Sequence, residues 1–280
     1  MLDNLRYFTY THTNMYDVWD AYFGQLKKHS PEVKHTVMIN KMSTGIPVHQ
    51  VEYDEDHNYC QQYINCLNEI DEDYIIYMQE DFYLYRDINP YKMKEYLDII
   101  ESDNDVSFVR LCKQPFFSLY RYSQQQIDHW KSLGQLEVFT ADDVSEVEYN
   151  DTLYWVKPPR EKYTSNLSYS MQPTIWNKED LIRLYEKCNR HIFGEGADWT
   201  DALNDLNIRG LYHYNNEPQR GLLHFDSSVF PYILTAIVKG YWNTMEYPEL
   251  VDIINAYRID PLTRGELNPS NMHGQSWHQG

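Results

Sequence analysis

Cysteine is scarce. The 280 residues hold four, Cys60, Cys66, Cys112 and Cys188, and no Cys-x-x-Cys pair. That excludes the common zinc and thioredoxin-like spacings and leaves free thiols in a reducing compartment as the expectation. Long apolar runs are missing as well: nothing approaches the ~18 residues of a membrane span. The start, Met1-Leu2-Asp3-Asn4, lacks the basic residues and apolar core of a secretory signal, so a soluble, cytoplasmic protein is expected. Positive charge is thin, with 24 Lys and Arg against 42 Asp and Glu and a net charge of −18. Such a balance disfavours nonspecific binding to nucleic acid or anionic membranes and favours recruitment of cations. Glycine is absent from Thr11-His12-Thr13-Asn14, the loop after the first predicted strand, so no glycine-rich phosphate cradle stands there.

What is abundant is apolar and aromatic. Hydrophobic residues make up 42% of the chain and aromatics 15%, which excludes disorder and gives enough material for one large α/β domain or two small ones. The 26 tyrosines and 7 tryptophans pair apolar faces with polar edges. They suit a polar-edged core, and also stacking on a sugar or base.

The hydrophobic pattern centres on Asp73-Tyr74-Ile75-Ile76-Tyr77-Met78-Gln79-Glu80-Asp81-Phe82-Tyr83-Leu84. Tyr74 to Met78 run apolar without alternation, as a strand buried on both faces does. Glu80 and Asp81 follow at its C-terminal end, where open α/β sheets place their ligands. Neighbouring side chains on an extended segment point opposite ways, so the two acids can face one ion only if the chain turns there. Mg²⁺ and Mn²⁺ are the cations such oxygens favour. A solvated acidic turn is the ordinary alternative.

Before this strand the chain reads as strand (5–10), helix (15–29), short strands (35–39 and 48–53), and a helix carrying Tyr59, Tyr63, Ile64, Leu67 and Ile70. Such alternation predicts a nucleotide-binding α/β half. After it come a helix opened by Asn89-Pro90 and a strand from Val106 to Leu111. From Cys112 to about Lys162 the pattern breaks down, as in a functional insert or lid, with a hairpin through Val138 and Trp155 giving it some order. A strand ending in Gln172-Pro173-Thr174-Ile175-Trp176 leads into a helix from Lys178 to about Asn189. Then Phe193 to Trp199 forms a loop entering another helix, with Asp198 as a candidate cap. Arg209 to Tyr214 reads as the last strand, Ile233 to Tyr241 as an apolar helix, and the residues from Pro261 as a loose tail.

The order of these pieces resembles the GT-A-type glycosyltransferases. Gln79-Glu80-Asp81 matches in position their Asp-x-Asp-like motif, with Gln79 in place of the first Asp. Gln172 to Trp176, Glu195 to Trp199 and Ala236-Ile237-Val238-Lys239-Gly240-Tyr241-Trp242 are similar to segments of small members from bacterial polysaccharide clusters and large viruses. The resemblance spans about residues 5–245. It implies a single-domain α/β fold, a GT-A-like, Rossmann-type mixed sheet flanked by helices. Residues 1–111 would form the nucleotide-sugar-binding half, 112–260 the acceptor half, and 261–280 the tail. It implies a metal-dependent transfer of a sugar from a nucleotide-diphosphate sugar to a glycan or other hydroxyl acceptor, with Mn²⁺ or Mg²⁺ as cofactor.

The same resemblance assigns the metal to Asp81, with Glu80 beside it and a late histidine, His213 or His224, completing the set. It places Thr9, Thr11 and Asn14 at the nucleotide, and Arg220 and Lys239 at the diphosphate. Asp198 or Glu195, with Asp201 a turn away, would act as the base of an inverting enzyme, and Trp176 and Trp199 as walls for a sugar ring. Capping, turn and core roles compete for each. Two other functions stay open: a nucleotidyltransferase making the sugar nucleotide, against which the glycine-free loop speaks, and a non-catalytic acidic decoy, which the net charge alone supports. A DNA acceptor is disfavoured by the same charge.

Overall fold

The computed structural model describes residues 2–113, 147–156, 169–189, 197–214, 219–221 and 224–267. In chain order the first half comprises β1 (Leu5–Tyr10), α1 (Tyr16–His29), β2 (Lys34–Ile39), β3 (His49–Glu52), α2 (Tyr59–Leu67), β4 (Tyr74–Gln79), β5 (Tyr83–Leu84), α3 (Pro90–Ser102) and β6 (Phe108–Arg110). Then follow β7 (Glu148–Asn150), β8 (Leu153–Trp155), β9 (Thr174–Asn177), α4 (Lys178–Cys188), α5 (Ala197–Leu206) and β10 (Gly210–His213). Five short strands come next: β11 (Gln219–Gly221), β12 (His224–Phe225), β13 (Tyr232–Ile233), β14 (Ile237–Val238) and β15 (Tyr241–Trp242). The helix α6 (Glu249–Ala256) is the last of the described helices. None of these helices is long and apolar enough to cross a membrane.

Nine strands form one mixed sheet in the order β3-β2-β1-β4-β9-β6-β10-β8-β7. Strands β1 to β4 are parallel, β9 runs against both β4 and β6, and β10 runs parallel to β6. The C-terminal ends of β1, β2, β3, β4, β6 and β10 therefore share one edge. Helices cover both faces, as the unbroken apolar run of β4 requires. Ile76 and Met78 pack with α1, α3 and α6, while Ile75 and Tyr77 pack on the other side with α2, α4 and α5.

Local chemistry fixes the helix ends. Asn58, Asn89 and Asn177 cap α2, α3 and α4 by accepting the N–H groups of Gln61, Lys92 and Asp180, and Pro90 occupies the first turn of α3. Asp17 lies in the first turn of α1 and Lys27, Lys28 and His29 in the last, matching the helix dipole. Tyrosines serve largely as core residues with a hydroxyl to place. Tyr7 bonds Ser30 at 2.6 Å, Tyr22 bonds Thr9 at 2.6 Å, and Tyr169 bonds Tyr185 at 2.9 Å.

Two expectations are corrected. The stretch from Ile233 to Tyr241 is not a helix. It holds β14, which pairs with β15 in a hairpin, and Lys239 (φ +52°) and Gly240 (φ +86°) form its turn. Positive φ at both central residues is what a two-residue hairpin turn needs, and glycine supplies one at no cost. Residues 261–267, read as the beginning of a loose tail, are docked instead. Leu267 N–H donates to the Trp242 carbonyl at 2.8 Å, and Trp242 N–H donates to that of Gly265 at 3.0 Å. Trp155 ends β8, which forms a hairpin with β7; Val138, expected on the other arm of its hairpin, lies outside the described residues.

Candidate functional site

The site begins where β4 ends. Phe82 N–H donates to the Gln79 carbonyl at 3.0 Å, so the chain turns over Glu80 and Asp81. This is the turn that lets two consecutive acids approach one ion. Both side chains are half-buried. The hairpin closes on them: Ala236 N–H donates to the Asp81 carbonyl at 3.0 Å, and Ile237 N–H donates to the Asp81 carboxylate.

Burial pushes the Asp81 carboxyl up to about 7, against the pull of the Ile237 and Asp81 backbone N–H groups and of Arg264. Burial and, after it, the charge of Asp81 push Glu80 up to about 8, partly offset by its own backbone N–H and by Arg264. Two crowded carboxylates of this kind hold negative charge at a cost that a cation removes. Asp17 and Arg264, which the sequence reading did not single out, complete the wall. Arg264 donates from Nε and Nη2 to the two Asp17 oxygens, each at 2.6 Å. Pro261 and Gly265 around Arg264 read as tail, and nothing local ties it to a partner 247 positions away.

Beside the acids, at the ends of β1 and β3, Tyr10 stacks on Tyr53 with ring centroids 5.4 Å apart and 17° between planes. The Glu80 charge acts on both hydroxyls. On β1 the Thr9 hydroxyl is buried against Tyr22 and His35, and in the loop after it the Thr11 hydroxyl accepts the Trp19 indole N–H at 2.9 Å. Both therefore brace the loop from within, while Asn14 is exposed on a 3-10 turn, Thr13–Met15. Lys239 is exposed at the hairpin tip, two residues from the Ile237 amide that reaches Asp81.

His213 is not brought to the acids. His213 ends β10, three strands from β4, which is ~14 Å at the usual strand spacing. Its Nδ1 bonds Tyr96 at 2.7 Å and its Nε2 lies 3.3 Å from Ser228 Oγ. Burial and Lys92 lower its pKa to about 4. Among the described residues no three His, Cys, Asp or Glu side chains cluster as a ready metal site. His224 and Arg220 lie on β12 and β11, where only the backbone is described.

Asp198 is the second residue of α5 and thus inside its first turn rather than at the cap; Glu195 lies outside the described residues. The helix α5 ends four residues before β10 starts, so its first turn points to the edge that carries Asp81. Trp176 is 2% exposed and packs on Phe108 at 4.2 Å, and Trp199 is wholly buried on Tyr169 at 4.4 Å. Both are core residues on the α2, α4 and α5 side of the sheet, not walls of an open cleft.

No protein-family model matches the chain, and no curated protein does. Among solved structures it is similar to a mannosyltransferase from Pyrobaculum calidifontis in complex with GDP-Man and Mn²⁺, at 11% identity and a TM-score of 0.42. That match covers 78% of this chain and 58% of the mannosyltransferase. A cytidylyltransferase from Leptospira borgpetersenii is similar at 11% identity and a TM-score of 0.44, over 95% of this chain and 98% of the other. Residues 1–349 of TarS from S. aureus give 10% identity and a TM-score of 0.41, over 93% and 68%. At such identities and TM-scores, function has to be argued from the residues of the site.

Proposed function

We propose that the chain is a glycosyltransferase that moves a sugar from a nucleoside-diphosphate sugar to a hydroxyl acceptor, with Mn²⁺ or Mg²⁺ at Asp81 and Glu80. The observation that carries this reading is the turn after the central strand. It gathers two half-buried carboxylates, both raised in pKa, at the edge of the sheet where α/β folds bind ligands.

The donor set fits a hard cation. Two carboxylates, with no third ligand clustered beside them among the described residues, suit an ion that keeps most of its positions for phosphate oxygens and water. Such an ion, when bound, neutralises the leaving nucleoside diphosphate. The protein's own part is then to hold Asp81 by the Ile237 amide. Lys239 would be presented to phosphate, and Asp198 or Glu195 would take the proton of the acceptor hydroxyl.

The direct test is calorimetric titration of UDP and GDP, with and without Mn²⁺, into the native protein and Asp81→Ala. Native binding of one nucleotide is expected to depend on Mn²⁺. The substitution should weaken it by ~100-fold, about 2.7 kcal/mol. A folded native protein that binds neither nucleotide in Mn²⁺ would defeat the reading.

A further inference from the structure

The segment after α6 is built to carry one side chain. Asp260 Oδ1 accepts Leu262 N–H at 2.9 Å and caps a 3-10 turn over Pro261–Thr263. Gly265, at φ +70°, donates to the Pro261 carbonyl at 2.8 Å and turns the chain alongside β15, where Trp242 and Glu266 form a parallel bridge. Between the turn and the bridge stands Arg264.

One edge of its guanidinium is committed. Nε and Nη2 meet the Asp17 carboxylate, and Nη2 also lies 3.4 Å from Met15 Sδ. This ion pair is well shielded, each side chain being 14% exposed. Among the described residues Nη1 makes no hydrogen bond, and the guanidinium charge acts on both Glu80 and Asp81. An arginine held along one edge presents its remaining N–H groups as a fixed fork, which matches phosphate oxygens as an ammonium does not.

We propose that Arg264 is a diphosphate-binding residue. Nη1 donates to the phosphate oxygens of the nucleotide, Asp17 sets the plane of the guanidinium, and the strap 261–267 brings it to the acidic pair. This rests on the nucleoside-diphosphate reading of the Glu80–Asp81 site. The charges make the need plain. Arg264 pairs with Asp17, and its charge reaches Glu80 and Asp81. A divalent cation at the acids leaves Asp17 to be balanced, and Arg264 balances it through Nε and Nη2, which leaves Nη1 for a phosphate oxygen.

The test separates the phosphate contact from a purely structural strap. Whichever nucleoside diphosphate the native protein binds in Mn²⁺ is titrated beside its nucleoside. Both are measured on the native protein, Arg264→Gln, Arg264→Lys and Asp17→Asn, with near-UV circular dichroism as a folding control. Arg264→Gln is expected to weaken the diphosphate by ~10-fold or more and leave the nucleoside within ~2-fold. Arg264→Lys should recover part of the loss, and Asp17→Asn should fall between. Equal losses for nucleoside and diphosphate, or no loss for either, would overturn the assignment and make the strap structural. Failure of the native protein to bind any nucleoside diphosphate shows before any variant is compared, and would refute the underlying reading as well.

Discussion

At pH 8 without divalent cations, the double variant Glu80→Gln/Asp81→Asn should melt ~5 °C above the native protein. The sign follows from the direction of the shifts. Both carboxyls titrate higher in the folded state, Asp81 moving from 3.8 to about 7 and Glu80 from 4.5 to about 8. Between those limits the folded protein binds more protons than the unfolded chain, so stability falls as pH rises from about 4 towards 8. Lifting one carboxyl from 3.8 to about 7 corresponds to about 4 kcal/mol at 1.36 kcal/mol per pH unit. The partial opening of both groups to solvent reduces this, and about 2–3 kcal/mol for the pair is a reasonable expectation. For a chain of this length that is ~5 °C. At pH 4, where both carboxyls are protonated in the folded state, the advantage should vanish. Mn²⁺ at pH 8 should raise the native protein and leave the variant unchanged, because an ion that binds only the folded site stabilises it by mass action. A native protein that outlasts the variant at pH 8 without metal would show that the pair is already neutralised from within.

The parts of this site differ in how far the sequence reveals them, and the difference is one of range. The run Tyr74 to Met78 and the acids after it are adjacent in the chain, and a buried strand leaves a mark in every residue of the run. The helices α1 to α4 are legible for the same reason, through helical spacing and caps such as Asn58, Asn89 and Asn177. The hairpin at 237–242 is harder. Ala236, Ile237 and Val238 form an apolar run too short to show a period, and Lys239-Gly240 is its only turn signal. Arg264 could not be found locally at all: it pairs with Asp17 across 247 positions, from a segment whose proline and glycine suggest a tail. The donor loop is misleading in another way. The hydroxyls of Thr9 and Thr11 suit a ligand, but Tyr22, His35 and Trp19 already hold them. Which of two polar roles a threonine plays depends on neighbours that strand order, not spacing, decides.

Trp199→Ala should be the most destabilising single change at a residue first considered for the sugar. The indole is fully buried, stacks on Tyr169 at 4.4 Å and 17°, and meets Tyr185 edge-on at 5.5 Å. Tyr185 passes the packing on to Tyr63 at 5.2 Å, joining α5, α4 and α2 into one aromatic layer under the sheet. Removing so large a ring forfeits its burial and leaves a cavity the neighbouring rings cannot fill, at a cost of about 3–5 kcal/mol. The midpoint of thermal unfolding should fall by ~10 °C, and Trp199→Phe should lose less than half of that. The acids and the strap belong to the opposite side of the sheet, with Tyr83, Ile237 and Trp242. Nucleotide affinity, measured well below the lowered transition, should therefore stay within ~2-fold of native. A sugar-wall role demands the reverse, with the melting point kept and the affinity for a nucleotide sugar lost. The two outcomes exclude each other, and the packing distances favour the first.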